Sequence, residues 1–470
     1  MTDLPVGWTE VTLGDVAESV KNGIFVSRPD AEPNGVPILR INAVRPGALR
    51  LDDVRYSAKD RDELSKSDAL LVPGDLLFTR YNGNINYVGA CAMVPDCLGD
   101  LTYPDKLIRA RLNQDVVDPR YIQYAFEAPQ VRSLVRSSAR TTAGQAGISG
   151  SSLKSIPFSL PPLVEQRRIV AALEGQLSLL DAGTELLRLS QQRLGRLKKR
   201  VLVEAVPLDG GSRWRLVTVA DAGTVDLGRQ RHPDWHNGPH MRPYLRVANV
   251  FEDRIDTSDV MEMDFPPAVF EKFRLREGDV LLNEGQSPEL LGRPALYRGV
   301  PKDAAFTNSI LRFRTGPGVD PEWALLVFRR HMHAGRFTRE VRITTNIAHL
   351  SAGRFKAVEF PIPPLSEQRE IVARTSDLLG GIDRLTEATT IAQRRAAALR
   401  ASLLSEAFAG QLVPQDPNDE PASELLARIR AERAATVPKQ RARSRRTPKE
   451  LPAPPTRVTG DDYQQEALPL

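Results

Sequence analysis

The chain has 470 residues, 41% of them hydrophobic, and 64 basic against 59 acidic groups give a net charge of +5. This length suffices for about three domains. No run approaches the roughly 18 apolar residues of a membrane helix, and the N-terminus lacks a signal-peptide pattern, so we expect a cytoplasmic protein. Two cysteines, Cys91 and Cys97, exclude a disulfide framework and a zinc quartet. The mild positive charge permits nucleic-acid binding without requiring it.

One pattern occurs twice along the chain. Trp8 and Trp214 each open a segment that predicts a short strand followed by a turn or helix start. Further matched segments follow in the same order, namely 37–44 with 243–250, 73–80 with 277–284, 107–111 with 310–314, 117–121 with 319–323 and 141–158 with 344–360. The offset falls from 206 between the two tryptophans to 202 between Gln166 and Gln368, so length differences lie in loops. The chain is a duplication.

The matched segments predict the elements of one α/β domain in each half. Segments 37–44 and 107–111 have the β-branched, alternating composition of strands. Segment 73–80 is a Gly-Asp turn that leads into an apolar strand. At 118–119 and 320–321 an Asp-Pro pair predicts the start of a helix, because Asp caps a helix and Pro suits its first position.

Each half ends in a Pro-Pro-Leu-x-Glu-Gln-Arg motif, at 161–167 and 363–369, that opens a long helical pattern. The first pattern has unbroken 3-4 spacing through Val170, Leu173, Leu177, Leu180, Thr184, Leu187, Gln191, Leu194, Lys198 and Val201. The second has Val372, Thr375, Leu379, Ile382, Thr386, Thr389, Gln393, Ala396, Arg400 and Leu403 at the matching positions. Such sustained spacing predicts coiled-coil helices, each about 60 Å long over roughly 40 residues.

The second seam is too polar to hold two copies of itself together, so we expect it to pack antiparallel on the first seam within one chain. A further apolar row beside it is formed by Ile371, Leu378, Leu385 and Leu399. Polar seam residues recur at equivalent positions in both helices, and such residues usually fix the register. The alternative is two ordinary core helices in unrelated domains.

The predicted fold class is therefore α+β, with two tandem α/β domains, two long helices forming an antiparallel coiled coil and a pseudo-two-fold internal repeat. The predicted boundaries are 1–160 and 207–362 for the domains, 161–206 and 363–412 for the helices, and 413–470 for a C-terminal tail. In the tail we expect a short helix at 423–430 capped by Ser423. The basic residues beyond it are predicted to be mostly disordered, either solvating the end of the chain or contacting DNA phosphates.

Motifs for catalysis are missing from the sequence. No lysine follows Asp or Glu by two positions, which removes the (D/E)-x-K element of many nucleases, and no Gly-Lys dipeptide exists for a P-loop. An amino-methyltransferase motif of the Asn-Pro-Pro-Tyr type is also missing. His232, His236 and His240 are spaced like metal ligands on a helix, but prolines and a glycine break that helix, which favours a surface loop. We expect no catalytic residues and no metal site.

From residue 8 to about residue 412, the chain resembles the specificity subunit of type I restriction-modification systems. The features that carry this resemblance are the duplicated Pro-Pro-Leu-x-Glu-Gln-Arg motif, the domain-helix-domain-helix order and the Gly-Asp-(Leu/Val)-Leu strands. This resemblance implies a non-catalytic DNA reader with two target-recognition domains, each for one half of an interrupted site. Its implied partners are double-stranded DNA, two methyltransferase subunits and restriction/translocase subunits, and no membrane. It implies that this chain binds no cofactor, while S-adenosylmethionine, ATP and Mg belong to the partner subunits.

Base reading in the major groove needs Arg, Asn, Gln and similar side chains, whereas phosphate contacts supply position. The DNA-binding candidates in the first domain are Arg40, Asn42, Arg80, Asn82, Asn84, Asn86, Lys106, Thr141, Thr142 and Gln145, with Tyr81 and Tyr87 able to pack on sugar or base. Those in the second domain are Arg246, Asn249, Asn283, Gln286, Arg293, Asn308, Arg342, Thr344, Thr345, Asn346 and His349. The candidates for the spacer helices and subunit docking are Glu165, Gln166, Arg167, Leu173, Leu180, Leu187, Leu194, Glu367, Gln368, Arg369, Leu379 and Ile382.

Each DNA-binding candidate has an alternative as a solvated loop residue or, for Arg40 and Arg246, as a structural strand residue. Their equivalent positions favour a phosphate or folding role over the reading of a variable base. Two alternatives also stand for the whole chain, a coiled-coil scaffold that does not read DNA and a DNA-modifying enzyme that acts alone. Phosphate contacts would make DNA affinity fall steeply with salt, which a scaffold would not show.

Overall fold

The computed structural model describes residues 4–26, 29–32, 35–96, 99–142, 144–208, 214–339 and 348–436. The chain divides into two compact units, and the first contains residues 1–172 and 404–470 whereas the second contains residues 173–403. Each unit combines one α/β domain with parts of both long helices.

The first domain is built of short elements. In chain order they are β1 (Thr9–Thr12), α1 (Leu13–Val16), β2 (Ala17–Asn22), β3 (Val36–Ile38), β4 (Val44–Arg45), β5 (Ala48–Leu49), β6 (Arg55–Ser57), α2 (Arg61–Lys66), β7 (Leu76–Thr79), β8 (Tyr81–Asn82), β9 (Cys91–Met93), β10 (Leu107–Leu112), α3 (Pro119–Glu127), α4 (Pro129–Ser138), β11 (Arg140–Thr142), β12 (Gln145–Gly147), α5 (Gly150–Lys154) and β13 (Pro157–Leu160). The first long helix, α6 (Leu163–Ala205), follows.

The second domain repeats this order with fewer helices in the part that the structure describes. Its elements are β14 (Arg215–Thr218), α7 (Val219–Ala222), β15 (Gly223–Leu227), β16 (Met241–Leu245), β17 (Val250–Phe251), β18 (Arg254–Ile255), β19 (Met261–Asp264), α8 (Pro267–Phe273), β20 (Val280–Asn283), β21 (Gly285–Gln286), β22 (Pro294–Leu296), β23 (Ala305–Phe306), β24 (Ile310–Thr315), α9 (Pro321–His333), β25 (Ala348–His349), α10 (Ala352–Lys356) and β26 (Glu359–Ile362). The second long helix, α11 (Leu365–Phe408), and a final helix, α12 (Ala422–Thr436), complete the described chain.

The two domains share one skeleton, which confirms the predicted duplication. A four-stranded antiparallel sheet has the order β2-β10-β7-β9 in the first domain and β15-β24-β20-β22 in the second. In both, the first and last strands of the domain pair with each other, as β1 with β13 and β14 with β26. The outer strands differ, since β11-β12-β8 has three strands whereas β21-β25 has two among the described residues.

The Gly-Asp turns precede the central strand of each sheet, as predicted. Gly74 and Gly278 both have positive φ, which glycine adopts without strain. Asp75 follows Gly74, accepts a hydrogen bond from the Val72 N–H at 2.9 Å and forms an ion pair with Arg111 of β10 at 2.8 Å. The aspartate therefore closes the turn and ties it to the neighbouring strand.

The predicted strand at 37–44 is shorter than expected. It is β3, and the chain then forms a 3-10 turn at Ile41–Ala43. The second domain does the same at Val247–Asn249, after β16. There the Asn249 side chain accepts a hydrogen bond from the Arg246 N–H at 3.0 Å, a side-chain capping contact that competes with the extended strand.

The Gln of the doubled motif attaches each long helix to its own domain. Gln166 is fully buried, accepts a hydrogen bond from the Asp118 N–H at 2.9 Å, and donates to the carbonyls of Val116 at 3.1 Å and Pro161 at 3.0 Å. Asp118 is the predicted cap of α3, and its Oδ1 accepts from the Arg120 N–H at 2.8 Å. One amide thus joins the start of α6 to the start of α3.

Gln368 makes the same three contacts in the second unit. Its Oε1 accepts from the Asp320 N–H at 2.9 Å, and its Nε2 donates to the carbonyls of Gly318 at 2.9 Å and Pro363 at 2.8 Å. The preceding Glu367 accepts a hydrogen bond from the indole N–H of Trp214 at 3.0 Å. In the second unit, the Glu-Gln pair of the motif therefore holds the helix to the residue before β14 and to the capped helix α9.

Within the second unit, the long helices pack antiparallel, which confirms the predicted coiled coil. Lys198 of α6 pairs with Asp383 of α11 at 2.9 Å, and Asp181 pairs with Arg400 at the same distance. The two pairs are related by the 202-residue offset, because Asp181 matches Asp383 and Lys198 matches Arg400. The internal repeat is thus a symmetry of the helix pair.

A polar contact lies between these two ion pairs. The Gln393 side chain donates to Gln191 Oε1 at 3.1 Å, and Gln191 donates to Thr390 Oγ1 at 3.2 Å. Gln191 and Gln393 are equivalent in the repeat, so the seam is symmetric about this pair. Polar pairs of this kind specify the register of a helix pair.

The second apolar row of α11 was expected to support the pairing of the helices, and this prediction is wrong for three of its four residues. Ile371 is buried, but Leu378, Leu385 and Leu399 are exposed. On α6, Leu179, Leu186 and Leu197 are exposed as well. We call the six exposed leucines, Leu179, Leu186, Leu197, Leu378, Leu385 and Leu399, the leucine stripe. They remain uncovered because each helix pairs through its own heptad seam.

The C-terminal helix packs on the first unit. It begins at Ala422, so Ser423 lies inside it and is not the predicted cap. The Ala422 N–H donates to the Gly7 carbonyl at 3.0 Å, and Arg430 pairs with Asp15 at 2.8 Å. The predicted disordered basic segment after it lies outside the described residues.

A charged network in the second domain predicts acid sensitivity. Glu252 accepts from Arg329 Nε at 2.9 Å and lies 3.1 Å from His333 Nε2. Burial alone would raise the pKa of Glu252, but the His333 hydrogen bond and the charge of Arg329 outweigh it and lower the pKa to about 2. A lowered carboxylate pKa stabilises the fold above pH 4.5, and that stability is lost as the pH falls towards 2.

Glu252→Gln is therefore expected to lower the free energy of unfolding at pH 7 by about 3 kcal/mol, an order-of-magnitude value from the pKa difference. The difference from the unchanged protein should shrink as the pH falls below 4.5. Urea unfolding at pH 7, 4.5 and 3 measures it, with the exposed Glu289→Gln as the control. A constant difference across this range would show that the ionised carboxylate does not stabilise the fold.

Candidate nucleic-acid interface

Polar segments of the first domain meet beyond the end of β7. The Arg80 N–H donates to the Lys106 carbonyl at 3.0 Å, and the Arg80 carbonyl accepts from the Ile148 N–H at 2.9 Å. In the next residues, Asn82 of β8 pairs with Ala146 of β12. The structure therefore brings together Arg80, Asn82, Lys106 and the β11-β12 hairpin, which carries Thr141, Thr142 and Gln145. Lys106, Thr141 and Gln145 are exposed.

The loop after β8 is shaped by its own asparagines. Asn82 Oδ1 accepts from the Asn84 N–H at 2.9 Å, and Asn84 Oδ1 accepts from the Asn86 N–H at 3.0 Å. These are successive Asx turns, in which each side-chain oxygen binds the backbone two residues further on. The loop is exposed at Asn84 and Asn86, and the Tyr87 ring lies 5.3 Å from the guanidinium carbon of Arg45.

Arg40 and Arg246 occupy equivalent positions and make equivalent ion pairs. Arg40 pairs with Asp53 at 2.7 Å, and Arg246 pairs with Asp259. Asn42 is exposed, with its Nδ2 3.4 Å from the same Asp53 carboxylate. Each arginine is already bound by a carboxylate of its own domain, which suits a structural role.

The second domain assembles its polar residues on the same frame. The Glu284 N–H donates to the Ser309 carbonyl at 3.0 Å, and the Glu284 carbonyl accepts from the Leu350 N–H at 2.7 Å. β21 and β25 pair next to it, which places Gln286 and His349 on neighbouring strands. His349 is exposed, and its Nδ1 lies 3.2 Å from the Glu284 carboxylate. Asn308 is also exposed, one residue before Ser309.

Three other candidates of the second domain lie deeper. Asn249 is buried and donates to the carbonyls of Asp256 at 3.0 Å and Asp259 at 2.9 Å. Asn283 is fully buried and donates to the Val250 carbonyl at 3.1 Å. Both amide side chains donate to backbone carbonyls, and because they are buried they are not accessible to a base in this conformation. Arg293 is half-buried over the Phe251 ring, and burial lowers its pKa.

Four predicted residues, Arg342, Thr344, Thr345 and Asn346, lie outside the described residues. The DNA-binding assignments as a whole remain predictions.

Among the helix candidates, burial separates two groups. Glu165, Gln166, Leu173, Gln368, Leu379 and Ile382 are buried, and Leu180, Leu187, Leu194 and Glu367 are half-buried. Arg167 and Arg369 are exposed, and Arg369 Nε lies 3.4 Å from the Asp320 carboxylate. The buried members hold the chain itself together, so a docking surface needs other residues. The leucine stripe is exposed instead, and its signal in the sequence is apolar residues that fall outside the heptad seam.

Sequence reasoning also missed Arg229 of the second domain. Its guanidinium carbon lies 3.8 Å from the Trp235 ring centroid and 4.9 Å from that of Phe265. The Arg229 carbonyl accepts from the Asn308 N–H at 3.0 Å, so the stacked side chain belongs to a segment that borders the candidate interface. Only the position of Trp235 in a His- and Pro-rich loop could have indicated it.

The described residues contain no group of three or more His, Cys, Asp or Glu side chains that could hold a metal ion. No helix among them is long and apolar enough to cross a membrane.

A duplicated α/β skeleton, paired long helices and polar loops at matching strand ends define the class of this protein. The family model described as the type I restriction modification DNA specificity domain matches residues 5–186. Over these and further residues the chain is similar to type I restriction-modification specificity subunits.

Individual relatives extend this match along the chain. The specificity subunit of the type I restriction enzyme EcoKI from Escherichia coli (strain K12) is 37% identical over 207 residues, an alignment that spans 44% of each chain. The StySPI specificity subunit from Salmonella potsdam is 24% identical over 94% of this chain and 99% of its own length. A chain from a solved type I restriction-modification system has a TM-score of 0.68 at 19% identity, over 87% of this chain and 100% of its own, which shows the shared fold.

Proposed function

We propose that this chain is the DNA-reading subunit of a type I restriction-modification complex and that each of its two domains reads one half of an interrupted site. The observation that carries this proposal is the pair of polar clusters on one frame. Arg80 and Glu284 have the same backbone contacts but opposite charge. A shared frame with different side chains at its polar end is what two different half-sites require, because base edges are distinguished by donors and acceptors.

The proposal assigns catalysis to partner subunits, because the curated relatives are described as specificity subunits. The proposed partners are double-stranded DNA, two methyltransferase subunits and the restriction/translocase subunits. S-adenosylmethionine, ATP and Mg would be bound by those partners. The leucine stripe supports the docking proposal, because exposed apolar residues in a row on a helix commonly mark a protein interface.

Substitutions in one cluster are expected to relax the choice of one half-site. Gln145→Ala in the first domain and Gln286→Ala in the second should each reduce affinity about 5-fold to 100-fold, because a good bidentate base contact contributes about 1–3 kcal/mol. Each should tolerate new bases in its own half-site and leave the other half unchanged. Selection from randomised duplexes by the full chain with its methyltransferase partners measures this preference.

Gln192→Ala, an exposed glutamine on α6, is the matched control and should leave both half-sites unchanged. If either domain's variant altered both halves equally, the assignment of one half-site to each domain would fail.

The scaffold alternative makes a different prediction. A scaffold would bind all duplexes alike, with no steep loss of affinity as salt rises.

A further inference from the structure

A polar pocket lies beside β8 in the first domain, next to the candidate interface. Its volume is about 350 Å³. Two arginines, a tyrosine and four serines line much of it, namely Arg80, Tyr81, Ser138, Arg140, Ser149, Ser151 and Ser152. Among the described residues that line it there is no carboxylate. A concave surface with two guanidinium groups and no acidic group favours an anion.

Arg80 is held in place at the wall of this pocket. Its guanidinium carbon lies 4.8 Å from the Tyr81 ring centroid, and its Nη1 donates to the Asp105 carbonyl at 3.2 Å. The Tyr81 ring in turn lies against Gly147, where an added Cβ would come within 2.4 Å of the ring. These contacts orient the guanidinium without neutralising its charge, so little ordering is needed when an anion binds.

Another part of the lining is a cluster of hydroxyl groups. Ser149 Oγ lies 2.8 Å from both Ser151 Oγ and Ser152 Oγ, and it accepts a hydrogen bond from the Ser152 N–H at 3.0 Å. Each serine carries one rotatable O–H donor. Arg140, exposed at the start of β11, adds the second guanidinium. Together they offer forked charged donors and neutral donors, the set that phosphate oxygens accept from most readily.

The second domain has different residues at the equivalent positions. Glu284 stands where the first domain has Arg80, as the matching backbone contacts show. At the 202-residue offset, Gly353 and Arg354 replace Ser151 and Ser152. A carboxylate at the position of the oriented arginine would repel an anion. Among the described residues, the oriented arginine of this pocket therefore has no counterpart in the second domain.

We propose that this pocket binds one phosphodiester group of the DNA backbone beside the first half-site, an inference that rests on the proposed function. The neighbouring Asn82 and Gln145 belong to the predicted base-reading set. A phosphate held here would fix the register of the duplex against those side chains, since phosphate contacts position a reader and base contacts specify the sequence.

The test uses duplexes that carry the recognised site and a single neutral methylphosphonate, moved one position at a time along the backbone. The full chain with its methyltransferase partners should lose about 5-fold to 50-fold in affinity when the contacted phosphate is neutral, as expected for a charged hydrogen bond. Arg140→Gln should bind the unmodified duplex more weakly by a similar factor and lose its sensitivity at that one position. Arg61→Gln, which removes an exposed arginine from α2, should keep the sensitivity at every position.

Ser151→Ala gives a second measurement with little effect on charge, and it should reduce the loss at the same position. Titration with inorganic phosphate at constant ionic strength distinguishes a free anion from a DNA phosphate. The proposal would be overturned if Arg140→Gln remained sensitive to the methylphosphonate at every position where the unchanged protein is sensitive. It would also be overturned if the pocket bound inorganic phosphate but Arg140→Gln lost sensitivity at no position. If the protein preferred its own site in these cases, the proposed function would stand, whereas equal binding of all duplexes would overturn that function too.

Discussion

Gln368→Met is expected to lower the free energy of unfolding of the second unit by about 3–6 kcal/mol. The side chain is fully buried, and its amide makes three hydrogen bonds to backbone groups of Asp320, Gly318 and Pro363. Methionine keeps most of the volume but has no comparable donor or acceptor. The substitution therefore leaves up to three backbone groups without this partner, and each of them that is buried costs about 1–3 kcal/mol.

The equivalent Gln166→Met should destabilise the first unit by a similar amount, because its three contacts are the same. Gln192→Met, at an exposed position on α6, is the control and should change little. Native-state hydrogen exchange under increasing urea separates the two units, since each amide reports the opening of its own region. If Gln368→Met matched the control, the contribution assigned to the buried amide would be wrong.

Local patterns predicted much of the fold correctly. The sustained 3-4 spacing predicted two helices, and the structure has α6 and α11 with 43 and 44 residues. The Asp-Pro pairs predicted capped helices, and both Asp118 and Asp320 accept from the backbone N–H two residues further on. These features depend on residues close together in the chain, where capping and periodicity act directly.

Contacts between distant residues were harder to predict. Gln166 and Asp118 are 48 residues apart, so nothing local indicates that the motif's amide binds the cap of α3. Asn249 and Asn283 resemble base readers by residue type, but nonlocal packing buries them. Leu378 and its counterparts were expected to support the seam, whereas the antiparallel pairing leaves them exposed. Residue type indicates chemistry, and burial decides whether that chemistry faces a ligand.

Exchange of residues 214–360 for the matching segment of a relative that reads another site is expected to replace one half of the recognised sequence completely. The segment begins at β14 and ends in β26, which pair with each other, so both junctions lie at one edge of the domain. The donor segment should supply the Asp-Pro cap at the position of Asp320, because Gln368 binds its backbone. The first domain and both long helices are unchanged, so the other half-site should persist.

The unchanged chain, expressed in the same cells, is the first control and should give the original site in both halves. A second control combines the donor segment with Gln368→Met in the helix that follows it. This variant should be less stable but should read the same bases as the exchanged chain.

Mapping of methylated adenines across the genome of cells that carry the exchanged chain and its methyltransferase partners tests the central claim most directly. We predict an interrupted motif in which one half matches the original site, the other half matches the donor's site and the spacing is kept. A motif in which both halves change, or in which neither changes, would contradict the claim that each domain reads its own half-site.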